Sequence, residues 1–215
     1  MNDVKITRIG ETKRGRFALF ADEEFLFSVD AETLHKHKIQ EGSSLSSEEL
    51  SFLKDDSDAR KAKDQALRYL SLRAYGENEL YQKLCLKYDE PTSAAVLAAL
   101  RELDLLNDQA YARDKARGLA ARKKSGAEIR RRLLALGLEK SLVEAAVAGA
   151  VPPEADAETA LAILRQNYME KLRRGEKEKV MAALARRGFS HADIRRAVQA
   201  ANAELAEADP PDTAW

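Results

Sequence analysis

Cysteine is almost absent from this chain, with Cys85 the one example in 215 residues, so no internal disulfide can staple the fold. Flanked by Leu84 and Leu86, it reads as a small core or boundary residue. Long apolar runs are missing too. None approaches the ~20 residues needed to cross a bilayer, and the opening MNDVKITRIG holds no apolar signal core. A cytoplasmic protein without membrane contact is expected. Histidine is scarce at three residues, and only His35 and His37 are close. Two residues apart on a helix, they point about 200° from each other, which suits a solvated face and not a shared metal. No GxxxxGK[ST], GxGxxG, HExxH or GxSxG occurs, and Cys85 has no basic partner in its neighbourhood. No catalytic residue, metal site or cofactor is expected.

The chain contains 45% apolar and 33% charged residues, the balance of an ordinary helix-rich soluble protein. Its net charge of zero conceals a division. Residues 1–60 hold thirteen acids and nine bases, whereas 113–132 hold nine bases against only Asp114 and Glu128. The centre is locally cationic and the overall neutrality is uninformative there.

That centre also contains the clearest structural unit, Asn107 to Val147. Ser125 followed by Glu128 has the form of a capping box, so a helix starts there. Ile129, Leu133 and Leu136 recur on one helical face, and Gly137 supplies a left-handed residue that ends it, with Leu138 behind. Ala112, Ala116, Leu119 and Ala120 form an apolar stripe upstream, after the cap Asn107 or Asp108. Leu142, Val143, Ala146 and Val147 form another downstream. The unit is three short helices. A shift of 51 residues lays Ile129, Leu133, Gly137, Leu138, Val143 and Val147 on Val180, Leu184, Gly188, Phe189, Ile194 and Val198. A shift back by 49 lays Ile129 and Leu133 on Leu80 and Leu84, and a two-residue insertion then brings in Val96 and Leu100. Such units bury their apolar faces against neighbours, which predicts an elongated stack.

Residues 4–29 follow a different period. VKITRIG, RGRFALFA and EFLFSVD read as strands, the last two joined across Asp22-Glu23 as a tight hairpin. Phe17 and Leu19, then Phe25 and Phe27, alternate to make one apolar face, covered by helices at 31–38 and 47–53. The fold class is therefore mainly α: three tandem three-helix repeats preceded by a small α+β module with a β-hairpin or three-stranded sheet. The expected divisions are 1–56 for the module, 57–105, 106–150 and 154–203 for the repeats, and 204–215 for a disordered tail. Lys54–Lys63 is charged and marks the first boundary, as a linker or the opening of a long helix. A fragment starting near Ser57 should then keep its fold. Val151-Pro152-Pro153-Glu154 separates the second and third repeats as a hinge or rigid corner.

The segments ALRYLSLRAYGENELYQKL, LDLLNDQAYA and KKSGAEIRRRLLALGL, with ITRIG and GRFALFADEEFLFSVDAETLHKHKIQEGSSLS before them, resemble the RecX family of bacterial recombination regulators over about residues 4–200. The LxxxxLLND-type junction at Leu100–Asp108, with Tyr111-Ala112, and the SGxxxIxxxL start of a middle helix are its most specific parts. The resemblance implies no enzymatic activity, binding to the RecA filament on single-stranded DNA, and inhibition of strand exchange, ATP hydrolysis and coprotease action. A role in DNA repair, recombination and the SOS response follows from it. Charge and position name the contact candidates: Arg113, Arg117, Lys123, Lys124, Arg130 and Arg131 in the centre, and Arg173, Arg174, Lys177, Lys179, Arg186 and Arg187 beyond it. Single-stranded DNA would be met weakly and through phosphate, by a monomer. The competing readings are a direct DNA-binding helix-turn-helix protein and a helical scaffold for another protein. Against the first, no helix presents an Asn, Gln and Arg set for base edges.

Overall fold

A computed structural model describes residues 3–13 and 15–208. Contacts divide the chain into two compact units, Met1–Leu106 and Asn107–Trp215.

The first unit opens with strands β1 (Val4–Lys5), β2 (Arg8–Glu11), β3 (Phe17–Ala21) and β4 (Glu24–Val29), then helix α1 (Ala31–Lys36) and strand β5 (Ser44–Leu45). β2, β3 and β4 form an antiparallel sheet, while β1 pairs with β5. The β3–β4 hairpin turns at Asp22 (φ 47°) and Glu23 (φ 72°). Left-handed backbone at both central positions matches the twist of the flanking strands, as tight hairpins require. The expected face of Phe17, Leu19, Phe25 and Phe27 is not continuous. A bulge shifts the register after Leu19, so Leu19 pairs with Phe27 but Phe20 pairs with Phe25. Phe25 is consequently 59% exposed and sits edge-on to Phe20 at 5.8 Å. Ile6, Leu19, Val29, Leu45 and Leu53 form the core beneath the sheet.

Helix α2 (Ser47–Leu72) links this core to the first repeat without interruption. It starts on a complete capping box: Ser46 Oγ accepts from the Glu49 N–H at 3.2 Å, and Glu49 Oε2 accepts from the Ser46 N–H at 2.8 Å. Leu50 and Leu53 cover the sheet, while Ala62 and Ala66 enter the next core. The boundary expected at 56/57 therefore falls inside a helix. Next to it, buried Ser57 donates to the Ser28 carbonyl at 2.9 Å and accepts from Arg16 Nη2 at 2.7 Å. α3 (Glu77–Cys85) and α4 (Glu90–Glu102) complete the first repeat.

The second unit holds α5 (Asp108–Ala121), α6 (Gly126–Ala135) and α7 (Lys140–Ala150), then α8 (Ala155–Asn167), α9 (Met169–Arg173), α10 (Lys177–Ala185) and α11 (His191–Ala208). The equivalences from the 49- and 51-residue shifts are realised in the cores. Leu80, Leu84, Val96 and Leu100; Ile129, Leu133, Val143 and Val147; and Val180, Leu184, Ile194 and Val198 are all buried. Each fully buried Leu, Ile or Val contributes roughly 1.5–3 kcal/mol over its exposed state, so these positions must be apolar in every unit whatever the rest of it holds. The third repeat departs from three helices. The short α9 precedes a left-handed Gly175 (φ 76°) and inserts Leu172 into its core. Residues 204–208 also depart from a disordered tail: they continue α11, with Leu205 against the core and Glu204 paired with Arg165. Residues 209–215, the rest of that expected tail, lie outside the described residues.

Candidate functional site

The second unit contains a cavity of about 480 Å³ where its two repeats meet. The α5–α6 turn supplies Arg122, Lys123 and Lys124, and α6 supplies Glu128 and Arg131. Ile163, Gln166 and Asn167 come from α8, and Arg186 and Arg187 follow α10. Six cationic side chains thus face one carboxylate.

Local backbone chemistry fixes these positions. α5 ends with the Lys123 N–H donating to Ala120 and the Lys124 N–H donating to Leu119. That double closure needs a left-handed residue, and it is Lys123 (φ 57°), not a glycine, that adopts it. Lys123 Nζ donates to Gln166 Oε1 at 3.1 Å across the cavity. Ser125 then caps α6, accepting from the Glu128 N–H at 3.3 Å and donating to the Arg187 carbonyl at 2.9 Å. Gly188 (φ 85°) makes that approach possible, because a Cβ there would stand 2.8 Å from Ser125 Oγ. The Gly126 N–H donates to both oxygens of Asp156 at 3.0 and 3.1 Å, tying the start of α6 to α8. Of the two readings of Val151-Pro152-Pro153-Glu154, this bond just beyond it favours the corner over the hinge.

The expected capping box at Ser125 is only half formed. Glu128 does not return to the Ser125 amide, because Arg132 and Arg131 take its carboxylate at 2.7 and 2.8 Å. These hydrogen bonds, Arg132 first, hold the Glu128 carboxyl below its ordinary pKa, so it is ionised and already neutralised. Among the described residues, no carboxylate pairs with Arg122, Lys123, Lys124, Arg186 or Arg187. The cavity has a built-in excess of positive charge.

Of the twelve sequence candidates, Lys123, Lys124, Arg131, Arg186 and Arg187 meet in this cavity. Arg130 is directed elsewhere: it forms a two-point pair with Glu144 on α7 at 2.8 and 3.0 Å, which raises the Arg130 pKa and lowers that of Glu144. Arg113 and Arg117 are exposed on α5 and do not line it. Arg173 and Lys179 pair with Glu170 and Glu176 within a helical turn, and Arg174 and Lys177 lie outside the cavity. Arg122, Gln166 and Asn167 were not among the candidates. Arg122 was visible in the count of bases, but the two amides carry no sequence signal, since only tertiary contact brings α8 to the α5–α6 turn. No group of three His, Cys, Asp or Glu able to hold a metal ion occurs among the described residues, and no helix among them is long and apolar enough to cross a membrane.

The fold and this site define a mainly helical, tandem three-helix-repeat protein with a small α+β module at its start and a cationic cavity between its last two repeats. Residues 4–46 match the regulatory protein RecX N-terminal domain, and 62–100 match the first three-helix domain of RecX. The regulatory protein RecX of Caldanaerobacter subterraneus subsp. tengcongensis is 30% identical over 201 residues, 90% of this chain and 98% of that protein. That of Clostridium botulinum (strain Eklund 17B / Type B) is 30% identical over 215 residues, covering 94% and 98%. The chain belongs to the RecX family of regulatory proteins. A crystal structure of a regulatory protein RecX superposes with a TM-score of 0.66 at 26% identity, covering 89% of this chain and 97% of that one. The RecX structure from Lactobacillus salivarius shares the fold, with a TM-score of 0.61 over 68% of this chain and 97% of its own at 24% identity.

Proposed function

We propose that this chain is a non-enzymatic, cytoplasmic regulator of homologous recombination and the SOS response. It binds the RecA filament on single-stranded DNA as a monomer and restrains ATP hydrolysis, strand exchange and coprotease action. The observation that carries this reading is the likeness to regulatory protein RecX over nearly the whole of both chains. The cationic cavity supports it by offering a concave surface for acidic loops or phosphate. A filament repeats along its axis, so a protein with repeated helical units can meet several subunits at once. Effective concentration then strengthens contacts that are weak singly. The three repeats are also unequal in charge, and only the second and third contribute to the cavity.

The test is RecA ATPase on single-stranded DNA, titrated with the chain and with a Lys123→Glu/Arg131→Glu variant. Inhibition by the parent and its marked loss in the variant, at unchanged helical circular dichroism, is the expected result. Equal inhibition by both would remove the cavity from the mechanism. Absence of inhibition, with tight binding to bare single strands, would favour a direct DNA-binding protein.

A further inference from the structure

We propose that the cavity between the second and third repeats is a binding site for a run of two or more phosphate groups. The inference rests on the regulatory reading for the role of the site, and it names the ligand chemistry that the site takes.

Charge, geometry and size lead to it together. Arg122, Lys124, Arg186 and Arg187 face a common space with no carboxylate paired to any of them among the described residues, whereas Arg131 on the same wall pairs with Glu128, and Arg130, Arg165 and Arg196 elsewhere in the unit each have a carboxylate of their own. Cations held together in a concavity repel one another, and a bound anion removes that cost. The walls are fixed before any ligand arrives, by Ser125 on the Arg187 carbonyl and by Asp156 on the Gly126 amide, so binding orders little backbone. Guanidinium groups present paired donors that match two oxygens of one phosphate. A volume of about 480 Å³ exceeds the needs of a single phosphate and falls within the range of small-ligand pockets.

The ligand is further restricted by what lines the space. No aromatic ring is among the lining residues, so stacking on a base is not the anchor, and the phosphates themselves must supply the attraction. An acidic peptide fits less well. In an extended chain successive side chains point to opposite faces, so it would bring one carboxylate for every two residues to the cations. Two sources provide consecutive phosphates: the backbone of a single-stranded nucleic acid and a free polyphosphate such as that of a nucleoside triphosphate.

Isothermal titration of the full chain at low salt with inorganic tripolyphosphate, and separately with oligothymidylate, tests the site. One saturable tripolyphosphate site is expected. Lys124→Gln/Arg187→Gln should weaken it by about a hundredfold or more, the loss for two charge-assisted bonds, with unchanged circular dichroism. Arg113→Gln/Arg117→Gln, which removes the same charge outside the cavity, should leave it nearly unaltered. Displacement of tripolyphosphate by oligothymidylate supports the site and assigns it to a nucleic-acid backbone; retention of tripolyphosphate supports it and assigns it to a free polyphosphate. Absence of saturable tripolyphosphate binding, or equal weakening by the two double variants, would overturn the inference. RecA inhibition is measured in parallel. If the parent inhibits RecA without binding tripolyphosphate, the inference falls and the regulatory reading stands; if it binds tripolyphosphate without inhibiting RecA, the reverse holds.

Discussion

Lys123 occupies a position where glycine would cost the backbone nothing. A left-handed conformation is unfavourable for a residue with a Cβ by roughly 1–2 kcal/mol, yet the side chain crosses the cavity to Gln166. Local rules broken in this way cluster at functional sites. Lys123→Gly should therefore raise the melting temperature, by the equivalent of about 1 kcal/mol, while weakening RecA inhibition. A variant that both melts lower and inhibits fully would contradict this account. Gly188 has the opposite constraint. Gly188→Ala meets an unfavourable φ and sets a Cβ against Ser125 Oγ, at an expected loss of about 2–3 kcal/mol from strain and the displaced Ser125–Arg187 bond. In the Ser125→Ala background the same change should cost less, because the crowded oxygen has gone. Strict additivity in denaturant melts would show that the two residues are not coupled.

Asp156 tests the corner at the same scale. Burial raises its pKa above the ordinary value, opposed by the Gly126 amide hydrogen bond, with Asp193 raising it further and Arg130 lowering it. A carboxyl whose folded pKa is raised binds its proton more tightly when folded, so its contribution to stability falls as pH rises from the ordinary value through the raised one. Glu128 and Glu144, with lowered values, have the opposite sign: their contribution is lost as pH falls through those values. The difference between parent and Asp156→Asn isolates the first term. Asn keeps an acceptor for Gly126, so at neutral pH the variant should melt no lower than the parent, with the parent gaining on it under acid. Asp156→Ala leaves the amide without that partner and should melt lower at both. An Asn variant as unstable as the Ala variant at neutral pH would mean that charge, not hydrogen bonding, holds the corner.

At the scale of elements, apolar periodicity located the middle and last helices of every repeat, because the residues that define it are the ones each core needs. It could not show how strands or helices continue. The bulge after Leu19 turns Phe25 outward, and a period of two contains no sign of an inserted register. Charge in Lys54–Lys63 suggested a boundary, but on an exposed helical face charge is compatible with an unbroken helix, and α2 runs through it. This changes the expected behaviour of a fragment. A chain starting at Ser57 would lose Leu50 and Leu53, the sheet they cover, and the Arg16 and Ser28 partners of Ser57. Such a chain should lose cooperative melting of the first repeat, while one starting at Asn107 retains a cooperative transition of its own. A fully cooperative, native-like 57–215 fragment would show instead that the repeat needs none of the preceding module.

For the whole molecule, neutrality was the least informative number and the local excess of bases the most informative. The sequence placed five of the cavity's six cations among its candidates, but it could not separate them from Arg130, Arg173 and Lys179. That distinction depends on which carboxylate each meets, and Arg130 meets Glu144 through packing of α6 on α7. The same difference sets filament binding against masking of DNA. If the cations only neutralised phosphates on bare strands, RecA ATPase inhibition would require DNA-saturating protein and would decline steeply with salt as counterions are released. If repeated units dock along the filament, inhibition should begin well below one molecule per RecA subunit and persist at moderate salt. Lys124→Glu/Arg187→Glu should then reduce inhibition strongly, whereas Lys177→Glu/Lys179→Glu, outside the cavity, should change it little. Neither pair should alter helicity, because exposed charges contribute roughly 0–1 kcal/mol per pair. Equal loss with both pairs, together with inhibition only at DNA-saturating amounts, would leave diffuse electrostatics as the mechanism and the cavity without a role in it.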